Sequence, residues 1–281
     1  MEKQKRALAI HDISCVGKCS LTVALPVLSA AGIEASALPT SVLSTHTGGF
    51  TGYTFRDLTQ DIIPIANHWE TLDMDFDAIY TGYLGSEEQI RLMEEVFSRF
   101  GGGKLIYVDP VMADNGQLYP GFDKSFPGQM TRLCKMADVI LPNITEAVLM
   151  LDEPYVKPPY TKEYIEGLLA RLGDAFGGKI VLTGVQFDPE NLGAAYYDTV
   201  SGEKGYAMNP LIPGYYHGTG DVFGSGMLSA LMCGFPLDEA TRIAVDFTVS
   251  AIKYTDTERE PKYGVRFEAA LPGLMKNLGI I

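Results

Sequence analysis

The sequence is poor in positive charge, and its basic residues are scattered, with no run longer than KQKR at residues 3–6. Its 281 residues include 22 Lys and Arg against 35 Asp and Glu, so the formal net charge at pH 7 is −13. Because nucleic-acid binding depends on clustered basic side chains, this composition argues against a nucleic-acid partner. An anionic ligand must instead be attracted locally, by backbone dipoles, a metal ion or a few placed cations.

Cysteine and long apolar runs are also scarce. The four cysteines form no C-x-x-C pair and lack the spacing of a disulfide-rich domain, so we expect a reducing compartment and no zinc site. No apolar segment approaches bilayer length, and the apolar run near the N-terminus is too short for a secretion signal. These absences predict a cytoplasmic protein with no membrane partner.

Apolar runs of strand length alternate with helix-length segments along the chain. This alternation predicts βαβ units in a mainly parallel sheet that is covered by helices on both faces. A hairpin-like meander over residues 191–212 and further helices follow near the C-terminal end. Since no internal repeat or linker interrupts the pattern, we expect residues 1–281 to form a single domain. The strand-like runs are RALAIHDI, FDAIYTGYL, KLIYVDPVM, DVILPN and KIVLTGV.

Polar residues follow the apolar core of each of these five runs. In an open parallel sheet, ligands bind at the edge where the carboxyl ends of the strands meet. Any one of the polar pairs is typical of an ordinary turn, but five at one edge indicate a binding site. The pairs are His11-Asp12, Thr81-Gly82, Asp109-Pro110, Pro142-Asn143 and Thr183-Gly184.

The segment HGTGDVFGSG, residues 217–226, combines flexible glycines with a carboxylate at the start of a predicted helix. Gly218 and Gly220 allow backbone amides to point outward at the positive end of the helix dipole, which favours an anion. Asp221 beside such an anion suits a general base that accepts a hydroxyl proton during phosphoryl transfer. The alternative is a helix cap, since Asp is favoured at that position.

Familiar phosphate-binding motifs do not account for these glycines. In DISCVGKCS, Asp12 stands where a Walker A loop requires its first glycine, and Cys19 stands where it requires Ser or Thr. GTGDVFG has the wrong spacing for a dinucleotide fingerprint and lies far from the first βαβ unit. The segment therefore needs a different explanation.

Two further segments supply groups that suit a kinase-like site. Asp109 and the N-x-x-E step of Asn143 and Glu146 can present oxygen atoms toward a hydrated Mg²⁺, although Glu146 could instead be an early-helix charge favoured by the dipole. STHTGGFTGY, residues 44–53, offers hydroxyls, a histidine and three glycines. It suits a loop that contacts a polar small molecule, or an ordinary glycine-rich turn.

Taken in order, seven segments resemble those of the ribokinase-like superfamily of small-molecule kinases, most closely the pyridoxal kinases. The resemblance implies a three-layer α/β/α ribokinase-like fold with a mainly parallel central sheet. It also implies ATP-dependent phosphorylation of the 5′-hydroxymethyl group of a B6 vitamer, with Mg²⁺, a monovalent cation such as K⁺, and a homodimer. The segments are ALAIHDISCVG, VLSTHTGGF, TGYLGS, VDPVM, LPNITEA, VLTG and HGTGDVF.

The resemblance also assigns roles to individual residues. Asp221 would deprotonate the substrate hydroxyl, and the amides of the three residues before it would stabilise the transferring phosphoryl group. Asp109 and Glu146 would organise Mg²⁺. The residues expected at the ATP site are Asp109, Asn143, Glu146, Thr183, Gly184, Gly218, Thr219 and Gly220.

The vitamer pocket is where this sequence departs from the family. The resemblance places Thr47 and Tyr83 around the pyridine ring with His46 beside them, and it makes residues 113–126 a flap over ATP. Asp12, however, replaces the serine that usually contacts the ring, and GKCSL replaces the usual G-x-x-G-N. A carboxylate there could accept from a ring hydroxyl, a ring N–H⁺ or an amine, or could equally mark another heterocycle.

Two alternatives to a B6 vitamer kinase remain open at this point. One is a hydroxymethylpyrimidine kinase of thiamine biosynthesis, which would use the same phosphoryl chemistry on a related ring. The other is a non-catalytic protein that binds a nucleotide or a vitamin. The intact Gly-Thr-Gly-Asp sequence argues against the second alternative.

Overall fold

A computed structural model describes residues 3–255 and 261–281. No helix in this part of the chain is long and apolar enough to cross a membrane. The strands are β1 Arg6–Ser14, β2 Glu34–Leu43, β3 Phe55–Asp57, β4 Ala78–Thr81, β5 Leu105–Val108, β6 Ala113–Asp114, β7 Gln117–Leu118, β8 Val139–Ile140, β9 Lys179–Asp188, β10 Asn191–Asp198 and β11 Lys204–Pro210. The α-helices are α1 Leu21–Ala30, α2 Thr59–Thr71, α3 Glu87–Phe100, α4 Phe126–Cys134, α5 Ile144–Met150, α6 Lys162–Phe176, α7 Thr219–Met232, α8 Leu237–Lys253 and α9 Leu271–Asn277.

One large sheet runs in the order β11-β10-β9-β8-β5-β4-β1-β2-β3. Every pairing between β9 and β2 in this order is parallel, whereas β3 at one edge and β10 and β11 at the other are antiparallel. The short strands β6 and β7 form a separate hairpin. The predicted mainly parallel sheet and the antiparallel meander after β9 are therefore both confirmed.

Apolar side chains on the two faces of the sheet form two cores. In β1, Ala7 and Ala9 face the core formed with α1, α7, α8 and α9, whereas Leu8 and Ile10 face the core formed with α2 to α6. This division follows from the alternation of side chains along a strand. The result is the three-layer α/β/α arrangement that the sequence predicts.

Two strands extend beyond the boundaries that their sequences suggest. His11 and Asp12 lie inside β1, because its parallel pairing with β2 resumes after an irregularity between His11 and Ile13. Thr183 and Gly184 lie inside β9, because this strand continues along β10 after its pairing with β8 has ended. The expectation that these polar pairs follow their strands is therefore wrong, although both lie toward the carboxyl end of the parallel region.

Small residues allow α7 to pack closely against the sheet and α8. A Cβ added to Gly224 would lie 2.6 Å from the hydroxyl oxygen of Tyr80, and one added to Gly226 would lie 2.9 Å from the Phe247 ring. Side chains at these positions would push the helix outward. The small face of α7 thus helps to fix the position of its N-terminus at the sheet edge.

A buried glutamine joins the loop after β4 to the neighbouring strand and helix. Gln89, which is 1% exposed, accepts a hydrogen bond from the Gly85 amide at 2.8 Å. Its amide nitrogen donates to the Thr40 carbonyl and to the Thr59 hydroxyl, both at 3.0 Å. These contacts hold the segment that carries Tyr83, one of the predicted substrate residues.

Replacing Gln89 with Leu should destabilise the protein. The exchange leaves the Gly85 amide without its partner, which typically costs about 1–3 kcal/mol for a buried polar group, and it removes one of the two donors to the Thr40 carbonyl, which also accepts from the Leu58 amide. Chemical denaturation of Gln89→Leu measures this loss in the free energy of unfolding. The matched control is Glu88→Leu at the exposed neighbouring position, and an equal loss in both variants would contradict the role of Gln89.

Candidate active site

Three predicted acidic residues meet at the carboxyl edge of the parallel strands. Asp12 lies near the end of β1, Asp109 directly follows β5, and Asp221 lies in the first turn of α7. Burial raises the pKa of both Asp109 and Asp221, and the charge of Asp221 adds to the rise at Asp109 while the charge of Asp12 adds to the rise at Asp221. The fold thus brings together carboxylates that are up to 209 positions apart in the chain, from Asp12 to Asp221.

The N-terminus of α7 presents backbone amides to the site. Gly218 is the N-cap residue, its φ is 76°, and no side chain in the described residues caps the helix. A Cβ at Gly218 would lie 2.0 Å from the Lys18 carbonyl oxygen, so this position requires glycine. Gly220 is exposed, with open space where its Cβ would be. Such an uncapped helix start is suited to binding an anion.

Asp221 does not cap α7. Gly218 occupies the N-cap position, and the Asp221 carboxylate instead faces the backbone amide of Ser20, which partly opposes the rise of its pKa. Loss of solvation raises the pKa of Asp221 to about 7, with a further contribution from Asp12. A carboxylate with a pKa near neutrality can accept a proton at physiological pH more readily than an ordinary aspartate.

Asp12 is held by two serine hydroxyls. Ser20 Oγ donates to one carboxylate oxygen at 2.5 Å, and Ser14 Oγ donates to the other at 3.0 Å. Burial raises the pKa of Asp12, and the hydrogen bonds from Ser20 and Ser14 partly oppose this rise. The side chain is 5% exposed, so a group that binds it must itself enter the site.

Asn143 and Glu146 form a capping box at the start of α5. The Asn143 side chain accepts from the Glu146 amide at 2.9 Å, and the Glu146 carboxylate accepts from the Asn143 amide at 2.9 Å. The other Glu146 oxygen accepts from the Met112 amide at 3.1 Å. The Asn143 amide group donates to the Ala113 carbonyl at 2.8 Å. These contacts tie α5 to the segment that follows Asp109.

The Asp109 and Glu146 carboxylates are suited to a hydrated magnesium ion. Burial raises the pKa of both carboxyl groups, and the charge of Glu146 raises that of Asp109 further. None of the ion pairs among the described residues includes either of them. The same part of the chain contains no group of three or more His, Cys, Asp or Glu suited to hold a metal alone. Two carboxylates are sufficient for Mg²⁺, because this ion usually keeps several water ligands and also binds phosphate oxygens of the substrate.

Thr183 and Gly184 lie next to α5, at an irregularity in β9. The Thr183 amide donates to the Pro142 carbonyl at 3.0 Å, and Thr183 forms an isolated parallel bridge with Asn143. Gly184 is exposed with φ of 76°, and a Cβ there would meet no atom within 4 Å. This stretch of backbone is therefore open to a ligand beside the Asn143 turn.

The predicted ring-binding residues lie on loops next to Asp12. The charge of Asp12 contributes to raising the pKa of Tyr83 to about 12, after the larger effect of burial. His46 is buried, and its Nδ1 accepts from the Gly48 amide at 3.1 Å, so its Nε2 carries the proton donated to the Lys262 carbonyl. Thr47 is exposed, and no hydrogen bond of its side chain to another described residue is seen.

Sequence reasoning missed three residues that shape the site. Ser14 and Ser20 hold Asp12, and His217 packs its ring 5.0 Å from the His46 ring, joining the loop after β2 to the start of α7. A Cβ at Gly48 would lie 2.4 Å from the His217 ring, so these loops are in close contact. The only sequence signal for His217 is its position directly before Gly218.

The proposed flap begins with the β6–β7 hairpin. The Gly116 amide in its turn donates to the Thr145 hydroxyl at 3.0 Å, which attaches the hairpin to α5. Farther along, the Phe122 ring lies 5.6 Å from the Tyr83 ring and is stacked on the Phe126 ring at 3.9 Å. The segment therefore spans from the Asn143 and Glu146 turn to the predicted vitamer pocket.

Comparison with known proteins identifies the family. The phosphomethylpyrimidine kinase family matches residues 24–265, which is most of the chain. The chain belongs to this family. Membership makes it a phosphotransferase that acts on a hydroxyl group, and the predicted relation to ribokinase-like kinases is confirmed.

Solved structures and a curated relative extend this kinase family assignment. A Bacteroides thetaiotaomicron protein assigned as a phosphomethylpyrimidine kinase, crystallised with pyridoxal, is 38% identical with a TM-score of 0.91, covering 97% of this chain and 96% of that one. Lactobacillus plantarum pyridoxal kinase is 33% identical with a TM-score of 0.89, covering 98% of each chain. Rhizobium meliloti hydroxymethylpyrimidine/phosphomethylpyrimidine kinase is 26% identical, covering 89% of this chain and 91% of that protein.

The raised pKa of Asp221 predicts a stability cost in this kinase that depends on pH. The carboxyl titrates near 7 when folded and near 3.8 when unfolded, so the folded state holds its proton more strongly between these values. The cost of burying the charge is therefore fully present above pH 7 and disappears as the pH falls toward 3.8. We expect Asp221→Asn to raise the melting temperature at pH 8 and to raise it less at pH 5.

Differential scanning calorimetry of both proteins at the two pH values measures this effect. Asp174→Asn is the control, because Asp174 is exposed on α6 and no comparable desolvation acts on it. A shift in melting temperature that is the same at pH 5 and pH 8 would show that the Asp221 carboxyl is not perturbed by burial.

Proposed function

We propose that this kinase phosphorylates the 5′-hydroxymethyl group of pyridoxal, pyridoxamine or pyridoxine with ATP as donor, in pyridoxal 5′-phosphate salvage. The observation that carries the proposal is the position of Asp221, a proton acceptor at the uncapped start of α7 with Asp12 nearby. Two relatives above 30% identity support the vitamer, since one was crystallised with pyridoxal and the other is a pyridoxal kinase.

Asp221 acts as the general base in this proposal. As the substrate oxygen attacks the γ-phosphorus of ATP, its proton passes to the Asp221 carboxylate and a new O–P bond forms. The bond between the γ-phosphorus and the bridging oxygen breaks, and ADP leaves with the electron pair. The amides of Gly218, Thr219 and Gly220 donate to oxygens of the transferring group, where helix-terminal dipoles stabilise negative charge.

The predicted ATP-site residues on β9 and after β8 lie on one side of β5 in the sheet order, and the strands that carry the vitamer loops, β4, β1 and β2, lie on the other. Asp109 and Glu146 would hold Mg²⁺, which when bound neutralises charge on the phosphate oxygens. Thr183 and Gly184 would meet the phosphates through exposed backbone, and Asn143 would position Glu146 through the capping box. Residues 113–126 would cover the nucleotide.

Asp12 gives the pocket its proposed preference for a basic or hydroxylated ring. Its carboxylate already accepts two serine hydroxyls, and an additional donor on the vitamer would complete its hydrogen bonding. Tyr83 and Thr47 would flank the ring, with neutral His46 supporting the Thr47 loop through its contact with Gly48. A cytoplasmic location, a single domain, a homodimer and a potassium requirement stay predictions.

A hydroxymethylpyrimidine kinase of thiamine biosynthesis is the second candidate function. The family match and the Rhizobium meliloti relative favour it, and an amino group or a protonated ring nitrogen of the pyrimidine would donate to Asp12. Asp221 would play the same part toward its hydroxymethyl group. The two candidates therefore differ in the ring and not in the chemistry.

Steady-state kinetics with pyridoxal, pyridoxamine, pyridoxine and hydroxymethylpyrimidine test the proposal. We expect a B6 vitamer to have the highest kcat/KM. In Asp221→Asn, kcat for that vitamer should fall by about 10²-fold or more, because general-base catalysis typically contributes that much, while ATP still binds. Asp174→Asn again serves as the control and should keep wild-type kcat.

Two results would contradict this assignment. A clear preference for hydroxymethylpyrimidine over every vitamer would overturn the proposed substrate in favour of the second candidate. Unchanged turnover in Asp221→Asn would remove the base from the mechanism, whichever ring is preferred.

A further inference from the structure

Ser20 has an unusual backbone conformation at the edge of the site. Its dihedral angles are φ 57° and ψ −131°, close to the first central position of a type II′ turn, where Gly, Asn and Asp dominate. A serine in this region is strained, and such strain persists only where surrounding contacts fix it. The side chain is also buried, with 6% exposure.

All three polar groups of Ser20 are engaged. The hydroxyl donates to Asp12 at 2.5 Å, and the backbone amide faces the Asp221 carboxylate and opposes the rise of its pKa. The carbonyl accepts from the amides of Val23 and Ala24 at 3.0 and 2.9 Å, at the start of α1. One residue therefore binds Asp12 and lies beside Asp221 while it is fixed to a helix.

The turn that carries Ser20 is fixed on several sides. Ser20 forms an isolated bridge with Ile13 of β1, and the Lys18 amide donates to the Tyr263 carbonyl at 3.0 Å. A Cβ on Gly264 would lie 2.8 Å from the Lys18 carbonyl oxygen, which also lies against Gly218. The turn is thus confined between β1, the start of α7 and residues 263–264.

We infer that Ser20 is a positioning residue that holds the Asp12 and Asp221 carboxylates in a fixed relation to each other. The inference rests on the proposed function, in which Asp12 meets the vitamer ring and Asp221 accepts the hydroxyl proton. Ser20 acts through these two carboxylates. Its hydroxyl anchors the turn to Asp12, and the anchored turn aims the Ser20 amide at Asp221.

Ser14 offers a matched comparison within the same network. Its hydroxyl donates to the other oxygen of Asp12 at 3.0 Å, and its side chain is as deeply buried as that of Ser20. Among the described contacts, Ser14 has none with Asp221. Loss of the Ser14 hydroxyl therefore affects the hold on Asp12 alone.

The experiment compares Ser14→Ala, Ser20→Ala and Ser20→Asn in the full-length enzyme. Calorimetric titration with pyridoxal, without ATP, measures vitamer affinity, and steady-state assays measure kcat. Both alanine variants should weaken pyridoxal binding several-fold. Only Ser20→Ala should also lower kcat, by about 10- to 100-fold, because a small misplacement of a reacting group has effects of this size.

The asparagine variant separates positioning from general damage to the structure. Asn tolerates positive φ, and its amide can donate to Asp12, so Ser20→Asn should recover most of the lost kcat. Should Ser20→Ala fail to fold, Ser20→Gly takes its place, because it removes the hydroxyl and relaxes the strained backbone. The same loss of kcat is expected from it.

Two outcomes would overturn the inference: wild-type kcat in the Ser20 variant that lacks the hydroxyl, or equal losses of kcat in the Ser14 and Ser20 variants. Failure of the proposed function is recognised separately. If the wild-type enzyme phosphorylates hydroxymethylpyrimidine and no vitamer, the comparison is repeated with that acceptor, and a selective loss of kcat at Ser20 then still supports its positioning role.

Discussion

The close contact between the start of α7 and the turn at residues 18–20 determines the geometry of the site. Gly218 lies against the Lys18 carbonyl so tightly that no side chain fits, and two residues later in the turn the Ser20 amide reaches Asp221. This contact sets the direction of the first turn of α7, and with it the uncapped amides. The proposed anion binding and the proposed proton transfer therefore both depend on this one contact between backbone segments.

Desolvation gives the clustered carboxylates their chemical properties. In water a carboxyl group is ionised at neutral pH, and the carboxylate is a weak base. Burial raises the pKa of four carboxyl groups here, those of Asp12, Asp109, Glu146 and Asp221. For Asp221 this creates a proton acceptor suited to neutral pH. For Asp109 and Glu146, burial disfavours the unpaired negative charge, so a bound cation would stabilise the two carboxylates. The net negative charge of the chain therefore does not prevent the proposed binding of ATP with its metal ion, because local dipoles and the cation act at short range.

Much of the site could be predicted because its residues follow buried strands or begin helices with recognisable turn chemistry. Asp109, Asn143 and Asp221 are of this kind, and the fold brings their segments to one edge. The helices α1 and α2 each contain an interior proline, Pro26 and Pro64, a residue that counts against a helix in a sequence pattern.

The rest could not be predicted, because it depends on tertiary contacts. Ser20 is an unexceptional residue in the sequence, and only the folded backbone reveals its positive φ, its hydrogen bond to Asp12 and its position beside Asp221. The sequence also could not exclude a helix-cap role for Asp221, which the structure excludes by placing Gly218 at the N-cap.

A crystal structure with pyridoxal and a non-hydrolysable ATP analogue would show directly whether Asp221 faces the substrate hydroxyl. We expect the 5′-hydroxyl oxygen to lie about 2.6–3.2 Å from an Asp221 oxygen, with the γ-phosphate at the amides of residues 218–220 and the ring beside Asp12. A complex in which the 5′-hydroxyl points away from Asp221, or in which the phosphates lie elsewhere than at the start of α7, would contradict this expectation.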